Sequence, residues 1–235
     1  MYQINNIKLD VDSIEIATGE FLSVLRKRLS DGEWESDEAK YLSLIPSDST
    51  VLELGACIGY ISCLTNLLLQ NKHNHVVLEA NKNLITCLHR NRELNHCLFH
   101  IENCILTDDP NRKQTSFYID RRSILGSSQI PLSKSRIKDV QEIQTKTIEK
   151  LESYYNLKFD ALICDIEGGE YDLFSKVIND NFMRVLRFIS IEFHWTVPNA
   201  HKKCRDIVNK LKQFHFKIIE FNSPTGQKQI FCTKE

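Results

Sequence analysis

From Thr50 onward the chain alternates short apolar runs with longer stretches in which apolar residues recur every three to four positions. The runs TVLELG (50–55), HVVLEA (75–80), LFHIENCIL (98–106), FDALICDIEG (159–168) and RFISIEFH (187–194) predict strands. Their near-continuous apolarity marks strands covered on both faces. Segments 60–71, 82–95, 145–155, 170–182 and about 199–214 carry helical spacing. Strand alternating with helix predicts an α/β fold with a mainly parallel sheet. The last two runs, FKIIEFN (216–222) and KQIFCTK (228–234), flank one short turn at 224–226. So short a turn permits only an antiparallel pair. The expected architecture is a mainly parallel seven-stranded sheet, a C-terminal antiparallel hairpin strand, and helices on both faces.

Before Thr50 the pattern differs. YQINNIKLDVD turns about Asn5-Asn6 and reads as a hairpin. Phe21, Leu22, Leu25 and Leu29 stand at helical spacing in a segment that ends at Asp31-Gly32. Ser36, followed by Asp37 and Glu38, is expected to cap a second helix, which Pro46 stops. Residues 1–48 are thus expected to pack as a hairpin-and-helix unit on a core of 49–235, one structural unit overall. Residues 107–140 are polar and irregular, with Pro110 and Pro131. That length suits either a lid or a surface insertion. Ser127 and Ser128 are its candidate acceptor contacts.

Composition narrows the class. The 235 residues are 42% hydrophobic and 26% charged, with a net charge of −1. That balance excludes nucleic-acid binding through bulk charge. Eight cysteines are scattered without a Cys-x-x-Cys pair, as expected of small buried thiols in a reducing compartment. MYQINNIKLDVDS has no basic and apolar leader, and no apolar run is long enough to span a bilayer. The chain reads as a soluble cytoplasmic protein without membrane insertion.

Ligands of open α/β sheets bind beyond the carboxyl ends of the strands. The first end reads Glu53-Leu-Gly55-Ala56-Cys-Ile-Gly59-Tyr60. A dinucleotide loop would carry G-x-G-x-x-G and would seat pyrophosphate on a helix N-terminus. Here a glycine is missing and an acid stands at Glu53, which would repel phosphate and suit a cationic amino group. S-adenosylmethionine carries that group and no phosphate. Glu79, twenty positions after Gly59, ends the second strand where a carboxylate can accept from both ribose hydroxyls. Asn103 ends the third, near the expected adenine edge, and reads equally well as a turn residue. The fourth end clusters Asp165, Glu167 and Glu170 about Gly168-Gly169, and the fifth places Glu192 and His194 on one face. Buried carboxylates need partners, so packing alone does not account for this cluster.

WESDEAKYLSLIPSDSTVLELGACIGY, VVLEANKNLITCLHRNRELN, LGSS and CDIEGGEYDLF together resemble the FkbM-type S-adenosylmethionine-dependent methyltransferases, from about Trp34 to His194. Asp165-x-Glu167-Gly168-x-Glu170 is the most specific element. Cys57 stands where the family commonly has asparagine, and Cys164 where lysine is frequent. The resemblance implies a Rossmann-like class I methyltransferase fold and methylation of hydroxyls, often on sugars or other small molecules. A hydroxyl must lose its proton during transfer. Asp165 is the first candidate base, and His194, oriented by Glu192, is the second. A divalent cation held by Asp165 and Glu192 is a third arrangement, although no metal is expected. Glu53, Gly55, Ala56, Gly59, Tyr60, Glu79, Asn103 and Glu35 are the expected cofactor contacts. Glu167, Glu170, Ser127 and Ser128 are the expected acceptor contacts. A NAD-dependent oxidoreductase and a non-catalytic partner-binding module are the competing readings.

Overall fold

A computed structural model describes residues 1–14, 19–121, 127–131, 133–222 and 226–234. Part of the turn expected at 224–226 therefore lies outside the described residues. The chain opens with strands β1 (Tyr2–Ile4) and β2 (Ile7–Leu9), an antiparallel hairpin. Asn5 and Asn6 both take positive φ, 47° and 67°, as the two central residues of a tight hairpin turn require. Helices α1 (Gly19–Ser30) and α2 (Ser36–Ala39) follow. The second lasts a single turn. Its flanking residue is Glu35, in left-handed conformation with φ 47° and no side-chain cap, so Ser36 lies inside the helix instead of capping it.

The regular part begins with β3 (Val51–Leu54), α3 (Tyr60–Leu68), β4 (His75–Leu78) and α4 (Lys82–Leu94). The run 98–106, expected as one strand, splits at Asn103 into β5 (His100–Glu102) and β6 (Cys104–Leu106), which join different sheets. The stretch expected to be irregular contains β7 (Gln114–Asp120) and β8 (Ile137–Lys146). These two strands pair antiparallel, and β6 adds in parallel to β8. Alternation in QTSFYID and IKDVQEIQTK was masked by their polar outward faces. Helix α5 (Ile148–Tyr155) and strand β9 (Ala161–Cys164) follow. One helix was expected over 170–182. Instead α6 (Glu170–Asp172) runs into a π turn (Leu173–Val177), and α7 (Asp180–Val185) restarts on an Asn179 cap. The chain ends with β10 (Phe188–Phe193), α8 (Ala200–Gln213), β11 (Lys217–Asn222) and β12 (Lys228–Thr233).

The main sheet has the order β11-β12-β10-β9-β3-β4-β5. Only β12 runs against its neighbours, pairing antiparallel with both β10 and β11. Alternate residues of each strand feed two cores. Val51, Ala161 and Phe188 face the layer of α3, α4 and the first hairpin, whereas Leu52, Leu162 and Ile189 face α5 to α8. Ile4, Ile7 and Leu9 of that hairpin are buried in the first core. Burial of side chains of this size stabilises by roughly 1.5–3 kcal/mol each. The cavity opens beyond the strands' carboxyl ends. No helix among the described residues is long and apolar enough to cross a membrane.

Candidate active site

A cavity of about 770 Å³ lies at the carboxyl ends of β3, β4, β9 and β10, roofed by α2 and walled on one side by the small sheet. Gly55, Glu79, Asp165, Glu167, Glu192, His194, Glu35 and Ser127 all line it. The size is typical of small-molecule sites.

The glycines are explained by the protein itself. A Cβ on Gly55 would lie 1.7 Å from the Asp165 carbonyl oxygen, and one on Gly59 would lie 2.6 Å from Leu88 Cδ1. Gly55 therefore lets the ends of β3 and β9 close together, which brings Asp165 to the cavity. Gly59 lets α3 pack on α4.

Glu79 sits where expected. Its carboxylate accepts from the Cys57 amide at 2.8 Å and the Asn81 amide at 2.7 Å. Two oxygens holding four lone-pair sites retain capacity to accept from a diol. Burial pushes its pKa up to about 7, against the pull of these amide bonds. Cys57 takes φ 51° to aim its N–H at Glu79. Asparagine is much commoner than cysteine in that conformation.

The acidic cluster surrounds His194. Its Nε2 lies 3.6 Å from Asp165 Oδ1, 3.6 Å from Glu167 Oε2 and 3.8 Å from Glu192 Oε2. Its Nδ1 lies 3.5 Å from Glu170 Oε1. Burial of the imidazole works to lower its pKa. The carboxylates of Glu170, Asp165 and Glu167 outweigh that and hold it at about 10. In the ligand-free chain these carboxylates favour the charged imidazole. Burial raises Asp165, with His194 pulling the other way. Asp165 keeps 28% of its side chain accessible, but that surface faces the cavity, so desolvation still acts. Glu192 is raised to about 8 and Glu167 to about 7, each chiefly by burial. Glu35 and Glu38, beside each other in the roof, are also pushed well up by burial.

Other expected contacts are placed differently. Glu53 is buried, with its carboxylate accepting from the Ser62 hydroxyl and bonded to His75 Nε2 at 2.9 Å. It points into the α3 side because it precedes the last strand residue and side chains alternate; it does not line the cavity. Tyr60 is fully buried, and its hydroxyl accepts from Asn5 Nδ2 at 2.8 Å. Ala56 and Gly59 pack in the interior beside it and do not line the cavity. Asn103 donates to the backbone carbonyls of Glu79 and Ala80 at 2.7 and 2.9 Å, tying β4 to β5 outside the cavity lining. Glu170 is a brace: it accepts from the amides of Gly168 at 2.8 Å and His194 at 2.6 Å, and it does not line the cavity. Ser128 donates to the Glu167 carbonyl at 2.9 Å and positions the αL residue Glu167.

Sequence reading missed Trp34, Glu38, Cys57, Phe221 and Gln229 as lining residues. Periodicity cannot find them, because α2 and the final hairpin reach the site only through folding. The acid-rich WESDE segment was the available signal.

The family model described as the methyltransferase FkbM domain matches residues 53–220. The chain belongs to the FkbM methyltransferase family. Its chemistry is therefore methyl transfer with S-adenosylmethionine as cofactor. An O-methyltransferase of Bacillus cereus, solved in complex with SAH, is similar in fold at 13% identity and TM-score 0.50, covering 95% of this chain and 94% of that one. An rRNA methylase of Streptococcus thermophilus is similar at 9% identity and TM-score 0.50, covering 84% and 94%. No curated protein sequence matches the chain. The donor set fits the FkbM cofactor: an acidic cavity suits a sulfonium and an ammonium, and Glu79 suits a ribose diol.

Proposed function

We propose that the chain methylates a hydroxyl of a small acceptor of the sugar or glycan class. The observation that carries this is the Asp165 carboxyl, whose Oδ1 is buried toward His194 at 3.6 Å while 28% of the side chain stays open to the cavity. An aliphatic hydroxyl reacts poorly unless its proton is accepted as the new bond forms. A carboxylate oxygen with spare acceptor capacity supplies that.

When bound, the cofactor supplies an electrophilic methyl group on a sulfonium. Glu79 would hold its ribose, Gly55 and Cys57 would border it, and Glu35 would meet its amino group. Asp165 takes the acceptor's proton. Glu192 stands beside Asp165 at the cavity wall. His194 pairs with both and holds their orientation. Glu167 and Ser127 meet the acceptor, and apolar Phe117 and Ile105 help to exclude water.

A methyl-release assay across sugar, phenol, amine and RNA acceptors tests the reading. Hydroxyl acceptors are expected to turn over, and Asp165→Asn should cut kcat at least about a hundredfold with cofactor binding kept. Turnover confined to amine or RNA acceptors, or full rate in Asp165→Asn, would overturn it.

A further inference from the structure

We propose that Asp165, Glu192 and His194 form a binding site for one divalent first-row cation of the manganese class. One oxygen of each carboxylate and one imidazole nitrogen lie within 4.8 Å of one another. The three come from the adjacent carboxyl ends of β9 and β10, which pair in parallel register, so the sheet sets their spacing.

Three observations point beyond a loose acidic group. His194 is only 5% exposed at its side chain, and its buried Nδ1 has no hydrogen-bond partner among the described residues. Its Nε2 faces Asp165 and Glu192 at 3.6 and 3.8 Å. Those separations are too long for hydrogen bonds. They are near the spacing of neighbouring ligands about one ion, roughly 3.0–3.4 Å for bonds of 2.1–2.4 Å at right angles. Second, Glu170 Oε1 accepts from the His194 amide at 2.6 Å and lies 3.5 Å from the ring's Nδ1, so a carboxylate stands behind the nitrogen that faces away from Asp165 and Glu192. Such outer bracing is how metal-bound histidines are held. Third, the charge is unbalanced. Asp165, Glu167, Glu170 and Glu192 all lie within 4 Å of this one imidazole, with Glu35 and Glu38 in the same cavity region.

Two carboxylates and one imidazole suit manganese or ferrous ion better than softer metals. Binding releases the Nε2 proton, as any imidazole ligand requires. Three protein ligands leave coordination positions facing the cavity, open to an acceptor oxygen and water. The second oxygen of Asp165 stays available as an acceptor. The cation's role in orienting the acceptor rests on the hydroxyl-methylation reading; its binding does not.

The test is a Mn²⁺ titration of the full chain after chelator treatment, read by electron paramagnetic resonance and calorimetry. One Mn²⁺ per chain is expected, with spin-echo modulation from one directly bound nitrogen. Glu192→Gln should weaken it by at least about tenfold. Asp172→Asn, a cavity acid outside the cluster, should leave it unchanged. Absence of saturable binding up to millimolar Mn²⁺, absence of the nitrogen signal, or wild-type affinity in Glu192→Gln would overturn the proposal. S-adenosylmethionine binding is measured on the same metal-free chain. Cofactor binding without Mn²⁺ binding rejects the cation site alone. Mn²⁺ binding without cofactor binding supports the site and rejects the cofactor reading.

Discussion

The carbonyl oxygen of Asp165 occupies the space that any side chain at Gly55 would need, 1.7 Å from where a Cβ would stand. The first strand's glycine and the fourth strand's acid are thus one feature. Gly55→Ala must push β3 from β9 and also adopt φ 87°. It should destabilise by more than about 3 kcal/mol, or prevent folding, in urea unfolding. Gly59→Ala meets only the flexible end of Leu88 and should cost about 1–2 kcal/mol, mostly from its left-handed backbone. Equal costs would mean that the strand contact relaxes easily.

Glu53 is bound in the interior to Ser62 and His75, whereas Glu79 lines the cavity. Glu53→Gln breaks a buried arrangement with Ser62 and His75 and should cost about 1–3 kcal/mol. Among molecules that remain folded, affinity for S-adenosylmethionine should change less than about twofold, well under 1 kcal/mol. A large loss of affinity in calorimetry, with stability kept, would place Glu53 in the cofactor site after all.

Glu79 makes stability and cofactor binding respond oppositely to pH. Its pKa is about 7 in the folded chain against an ordinary 4.5, so the folded state holds the proton more tightly. The cofactor-free chain should therefore lose stability as pH rises from about 4.5 to 7 and change little from this group above that. The loss from Glu79 is on the order of 3 kcal/mol. Glu35 and Glu38 are shifted the same way and add to it. Cofactor affinity should instead tighten as pH passes 7, because ribose hydroxyls donate to the ionised carboxylate. Denaturant unfolding at pH 5 and pH 8, with binding isotherms over pH 6–8, checks both signs. A flat binding profile would remove Glu79 as the ribose partner.

Cys57 holds a left-handed backbone to reach Glu79. Cys57→Asn should raise stability by about 0.5–1 kcal/mol, since asparagine visits that region more readily, with cofactor affinity kept. Cys57→Val should lower both, because a β-branched residue resists φ 51°. A thermal melt of the two variants decides the point; identical melting temperatures would show that the backbone strain is small.

The sequence by itself determined the layered α/β fold and the direction of the last strand. Buried strands read as apolar runs, and a short turn allows one pairing. It also pointed to Glu79, Asp165, Glu167, Glu192 and His194 as neighbours, because strand ends converge on one edge of a parallel sheet; Glu35 joins them from the start of α2. Tertiary structure alone decided the facing of Glu53 and Glu170, since a shift of one residue along the chain turns a carboxylate from the cavity to the interior. It also decided the surroundings of His194, which gather carboxylates from the turn after β9, the start of α6 and β10. The small sheet of β6, β7 and β8 escaped detection because its strands are half exposed, and only the assembled fold shows which face is covered.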